Sequence, residues 1–123
     1  MSMTPTLNFD DREYTACKQG LTFHALLHIT HKKTRLPVDY STASFKMQIK
    51  DNYDTPVIVE LSTANNRIYV DSNYDINLFI SASDTALLPH GTYLYDIIVE
   101  NSGNKDTLLA GVFLIKRTVT QND

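Results

Sequence analysis

Four histidines are the first candidates for chemistry in this chain. His24 and His28 have the same parity along an alternating run. In a strand, however, four residues span roughly 13 Å, too far for both rings to ligate one ion. His28 and His31 bracket a turn, yet no carboxylate or thiolate stands at ligand spacing beside them. The aspartates Asp10-Asp11 and the pair Asp51 and Asp54 lack the spacing of a calcium loop, and read as turn residues holding local backbone. Serine, histidine and aspartate are all present, but no serine sits in a Gly-x-Ser-x-Gly elbow. Cys17 stands beside Lys18, which would lower a thiol pKa slightly, but its place in an alternating strand predicts an inert side chain. With four glycines, no phosphate-cradling loop is spelled out, and Lys32, Lys33 and Arg35 read as a solvated hairpin tip. The expectation is a protein with no catalytic set, no metal site and no cofactor.

Composition narrows the partners. A formal charge of −3 gives no electrostatic reason to expect nucleic acid. The 42% hydrophobic and 20% charged content of 123 residues is that of one globular domain. A single cysteine allows no intrachain disulfide, and no apolar stretch approaches the roughly 18 residues that span a bilayer. Met1 to Thr6 lacks the basic and apolar regions of a secretory signal, so synthesis in cytoplasm is expected.

The elements that would position these residues are strands. From Leu21 to Thr30 the odd positions Leu21, Phe23, Ala25, Leu27 and Ile29 are apolar, the period-two mark of a half-buried strand. Alternation returns at Phe45 to Ile49, Val57 to Leu61, Ile68 to Val70, Ile76 to Ile80, Tyr93 to Val99, and from about Thr107 to Val119. Turn-forming Asn, Asp, Ser and Lys separate these runs. Some 7–9 short strands without a long helical period predict an all-β, immunoglobulin-like antiparallel sandwich. Residues 1–11 are predicted to be a flexible arm, or a strap laid on a neighbour, and 12–123 the single sandwich domain.

One segment departs from the β pattern. Ser81 to Pro89 predicts a single capped helical turn stopped by proline. Tyr93 follows it, where sandwiches of this kind place a corner tyrosine whose hydroxyl returns to the turn's backbone. Tyr95 is then expected in the core.

The final strand is apolar on both sides. Leu108, Ala110, Val112 and Leu114 share one parity; Leu109, Phe113 and Ile115 share the other, beside Gly111. Leu94, Ile98, Phe79 and Leu26 are also out of phase with their strands' core positions. Either the strand is buried on both faces, under the N-terminal arm, or the surplus docks against another protein. The second arrangement nominates Leu26, Phe79, Leu94, Ile98, Leu109, Phe113 and Ile115 as interface residues.

Three motifs stand in order along the chain: Lys18-Gln19-Gly20-Leu21-Thr22-Phe23, Leu36-Pro37-Val38-Asp39-Tyr40-Ser41-Thr42-Ala43-Ser44-Phe45-Lys46-Met47-Gln48-Ile49, and Ser83-Asp84-Thr85-Ala86-Leu87-Leu88-Pro89-His90-Gly91-Thr92-Tyr93-Leu94-Tyr95-Asp96. Together they resemble small bacteriophage virion proteins, in particular the immunoglobulin-like N-terminal module of the baseplate upper protein family. The likeness spans roughly residues 13–119, with Leu21 in place of an Asp, Tyr40 of a Leu and Thr42 of a Gly. It implies a non-catalytic virion building block: an adaptor in the tail, baseplate or fibre-attachment region, present as a symmetric oligomer. Its partners would be copies of itself and other phage structural proteins, with no nucleic acid and no membrane. A head decoration, neck or collar protein is the alternative. A carbohydrate-binding module is a further reading, with Tyr53, Tyr69 and Tyr74 as platforms in a chain that has no tryptophan.

Overall fold

A computed structural model describes residues 5–11 and 15–118. It is an all-β sandwich of eight strands with one helical turn: β1 (Cys17–Lys18), β2 (Phe23–Leu27), β3 (Ser44–Lys50), β4 (Val57–Ser62), β5 (Ile68–Val70), β6 (Ile76–Ile80), α1 (Ala82–Thr85), β7 (Gly91–Asn101) and β8 (Asn104–Lys116). One sheet has the order β1-β8-β7-β3-β4 and the other β2-β6-β5. Neighbours are antiparallel except β1, which runs parallel to β8. The order of strands within each sheet matches the immunoglobulin-like arrangement expected from the sequence.

The core forms where alternation points inward. Phe45, Met47 and Ile49 of β3, Val59 and Leu61 of β4, Ile97 and Val99 of β7 meet Phe23, Leu27, Ile76, Leu78 and Ile80 from the other sheet, all buried. The expected Leu21–Thr30 strand is shorter, because Gly20 turns at φ 80 and Leu21 donates its N–H back to Lys18. Leu21 is therefore exposed.

The helical turn and its tyrosine corner stand where the sequence puts them. The Ser81 side chain accepts the Asp84 N–H, and Ser81 O closes the turn with Thr85 N. Buried Thr85 donates its hydroxyl to Leu21 O at 2.8 Å and so ties the turn to the approach to β2. Tyr93 Oη donates to Pro89 O at 3.0 Å, and Tyr95 is buried one rung deeper.

β7 and β8 join through Ser102 (φ 53) and Gly103 (φ 84), the paired left-handed residues of a tight hairpin turn. Between Ile98↔Thr107 and Ile97↔Leu109 the register slips, leaving Leu108 as the extra residue of a bulge. Beyond it Leu109, Gly111 and Phe113 lie opposite core residues Ile97, Tyr95 and Tyr93, with Ile115 opposite Gly91. Directly paired residues share a face, so the odd positions turn inward. Phe113 and Ile115 are fully buried, and Leu109 packs half-buried against the core. These three are core residues, which corrects their expected place at an interface.

The N-terminal segment explains the surplus. Instead of a flexible arm, residues 5–9 form a strap along the chain's own β8. Leu7 N donates to Ala110 O (3.1 Å), Phe9 N to Val112 O (2.9 Å), and Leu114 N to Phe9 O (2.8 Å). Phe9 is driven into the core, where its ring lies 5.3–5.7 Å from those of Phe23, Tyr95 and Phe113. Tyr95 Oη donates to Leu7 O across the same junction. The part of the expected arm at residues 1–4 lies outside the described residues.

Candidate interaction surfaces

Two of the four histidines, three aspartates and the cysteine are spent on structure. His24 Nε2 donates to Asn77 Oδ1 at 2.8 Å, and Asn77 Nδ2 in turn donates to Asp71 Oδ2 at 3.0 Å. Asn77 is buried, and this relay satisfies its whole amide. The Asn77 bond holds the Asp71 carboxyl below the ordinary carboxylate range, helped by the Asp75 and Asn73 N–H groups that close the β5–β6 turn. His28 Nδ1 donates to Asp75. His24 of β2 and His28 just beyond it thus tie this part of the chain to β6 and its turn. Asp84 is likewise held low by its hydrogen bond from Arg67. Cys17 is buried, and desolvation pushes its thiol up to about 11, so it is a neutral core side chain at ordinary pH. No cluster of three or more His, Cys, Asp or Glu capable of holding a metal occurs among the described residues.

The seven nominated interface residues do not form one patch. Leu26 and Phe79 lie on the outer face of the three-stranded sheet, where Leu26 is 59% exposed and Phe79 packs edge-on against His24 at 5.9 Å. Leu94 and Ile98 lie on the outer face of the other sheet, half-buried, opposite Lys50 and Lys46. Leu109, Phe113 and Ile115 lie between the sheets. The tyrosines are also dispersed: Tyr69 belongs to β5 and Tyr74 to the β5–β6 turn, while Tyr53 stands on the β3–β4 turn of the opposite sheet.

Two surfaces missed from the sequence are visible in the fold. The first is the outer edge of β2. Strap and β1 are bonded to β8, in the other sheet, so β2 is an edge strand with β6 as its partner. A groove of about 550 Å³ runs between β2 and the strap, lined by Leu7, Phe9, Lys18, Leu21, Phe23 and Ala25 among others. Strap and β1 cover β8, and β5 is three residues long. At β4, the Glu60 carbonyl is capped by Arg67 Nη1 (2.9 Å) and Asn65 Nδ2 (3.0 Å). The second surface is a groove of about 490 Å³ across the outer face of the five-stranded sheet, from the strap to Tyr53.

Neither a protein-family model nor a curated protein sequence matches this chain. The fold is that of a β-sandwich, and the reading of its role rests on these two surfaces and on the sequence motifs.

Proposed function

We propose that this chain is a non-catalytic structural protein of a bacteriophage virion, an adaptor in the tail, baseplate or fibre-attachment region that joins its neighbours by strand addition at β2. The observation that carries the assembly role is the unshielded edge of β2. Its five residues, Phe-His-Ala-Leu-Leu, contain neither proline nor lysine or glutamate, the residues that ordinarily blunt such edges. An extended partner strand would gain main-chain hydrogen bonds there and bury Leu26 and Leu21, which are 59% and 41% exposed. The virion setting is supported by the ordered motifs around Gly20, Pro37 and Tyr93.

Antibody labelling and quantification of the chain in purified particles tests the setting. Several copies per particle at the tail or baseplate are expected; location on head or collar would favour a decoration role, and absence from particles would defeat the reading. Leu26→Lys tests the surface. It should leave the melting temperature within a few degrees of the parent while preventing incorporation, since the side chain is solvent-facing; normal incorporation would move the contact elsewhere.

A further inference from the structure

The groove across the five-stranded sheet is built differently from the β2 edge, and its chemistry points to another kind of ligand. Two rungs of the sheet form its floor: Lys50–Leu94–Val112 and Gln48–Asp96–Ala110, the second continued by Thr6 of the strap. The strap raises one wall and the β3–β4 turn the other. That turn is stiffened by reciprocal bonds of Asn52 and Thr55: Asn52 N donates to Thr55 Oγ1 (2.9 Å), and Thr55 Oγ1 to Asn52 O (2.8 Å). Tyr53 at its tip is 81% exposed.

Gln48 Nε2 is spent on Glu60 Oε1 (2.9 Å), whereas the other polar groups of the groove are positioned but unspent. Asn52 Oδ1 accepts the Tyr53 N–H and Asn8 Oδ1 accepts the Val112 N–H, which orients each amide and leaves its nitrogen free to donate. Among the described residues, neither of those nitrogens, nor the Lys50 ammonium or the Asp96 carboxylate, has a partner. A flat aromatic face, planar amides, one carboxylate and one ammonium around a floor of Leu94, Ala110 and Val112 are the complement of a ring with apolar C–H faces and hydroxyls at its rim. The single Lys and Asp cancel, so the groove has no charge with which to select an anion or a cation. Its volume falls in the range of about 300–1,000 Å³ usual for small-ligand sites.

We infer that this groove binds a neutral saccharide, with Tyr53 stacking on one sugar ring and Asp96 and Asn52 taking its hydroxyls. The site lies on the opposite sheet from β2 and is independent of the assembly role.

The test is a printed array of neutral, sialylated and sulfated oligosaccharides, presented multivalently, followed by titration of the best neutral binder against the amide resonances of Asn52, Asp96 and Ala110. The expected result is binding to a neutral oligosaccharide with shifts at those amides. Tyr53→Ala and Asp96→Ala should each weaken it about tenfold, Tyr53→Phe should retain it, and all three variants should melt as the parent does, since both side chains are solvent-facing. No binding across the array, binding confined to anionic glycans, or neutral binding indifferent to Tyr53→Ala and Asp96→Ala would each overturn the inference.

Discussion

Replacing Gly111 with alanine should destabilise this domain, although at an ordinary strand position the same change stabilises by about 0.5–1 kcal/mol. The reason is the strap. A Cβ on Gly111 would stand 2.2 Å from Leu7 O and 2.7 Å from Asn8 Oδ1. The first contact is backbone and cannot rotate away, so the strap must move off β8. The bonds at stake are Leu7 N to Ala110 O, Val112 N to Asn8 Oδ1, and Tyr95 Oη to Leu7 O. At about 0.5–1.5 kcal/mol each, their loss amounts to about 2–4 kcal/mol, and more if Phe9 is drawn out of the core. Urea denaturation of the parent, Gly111→Ala, Tyr95→Phe and the double variant gives both the size and the cause. Once the strap has lifted, removing the Tyr95 hydroxyl should cost little further, so the two substitutions should be strongly non-additive. Weaker protection of the Leu7 and Phe9 amides in hydrogen exchange should accompany the loss. A Gly111→Ala protein as stable as the parent, or strict additivity with Tyr95→Phe, would refute the strap's role.

Other outcomes follow from the same geometry. Tyr93→Phe should lower stability by about 1–3 kcal/mol by leaving Pro89 O without its hydroxyl donor, as read from thermal or urea unfolding; an unchanged midpoint would remove the corner from the account. Phe113→Asp should prevent folding altogether, because it places an unpaired carboxylate among Phe9, Phe23 and Tyr95; a folded, monomeric variant by circular dichroism would contradict that placement. Cys17 should resist thiol reagents in the native state. Its thiol stays neutral in the fold up to about pH 11 but ionises from its ordinary 9.0 when unfolded, so the unfolded chain binds fewer protons between those values. Stability should therefore fall as pH rises through that window, by at most about 3 kcal/mol, and fall less in Cys17→Ala; equal slopes for the two proteins would refute it.

What could be read in the letters was local. Period two placed the strands because a half-buried strand alternates residue by residue. Ser81, Pro89 and Tyr93 placed the helical turn and corner because caps, stops and corner bonds act within a few positions. The facing of β8 was not legible for a physical reason: both parities are apolar, so alternation reveals two faces without saying which is inward. The bulge at Leu108 changes parity within the strand, and that is set by pairing with β7 rather than by β8 itself. The strap over β8 was legible only as one of two alternatives, because Leu7 and Phe9 are two apolar residues among polar ones. One signal was available. A glycine between apolar neighbours in a long strand marks a place where another backbone comes close, and Gly111 marks where the strap lies.

The two-sided apolar character of β8 therefore has a different meaning from that of a docking patch. Its inward half, Leu109, Phe113 and Ile115, fills a core that the strap completes with Phe9. Its outward half, Ala110 and Val112, floors a groove walled by the same strap. A strap that seals one sheet at β8 leaves the other sheet unsealed at β2, because residues 5–9 hydrogen-bond to β8 and not to the edge beside them. The fold thus moves its free backbone from one side of the sandwich to the other. Where β5 is short and the Glu60 carbonyl of β4 is capped by Arg67 and Asn65, β2 keeps five residues without proline, lysine or glutamate and an exposed Leu26. An edge of that kind invites pairing with any available strand. A lasting partner strand would satisfy it, and this is the physical ground for proposing β2 rather than β8 as the strand through which the chain would assemble.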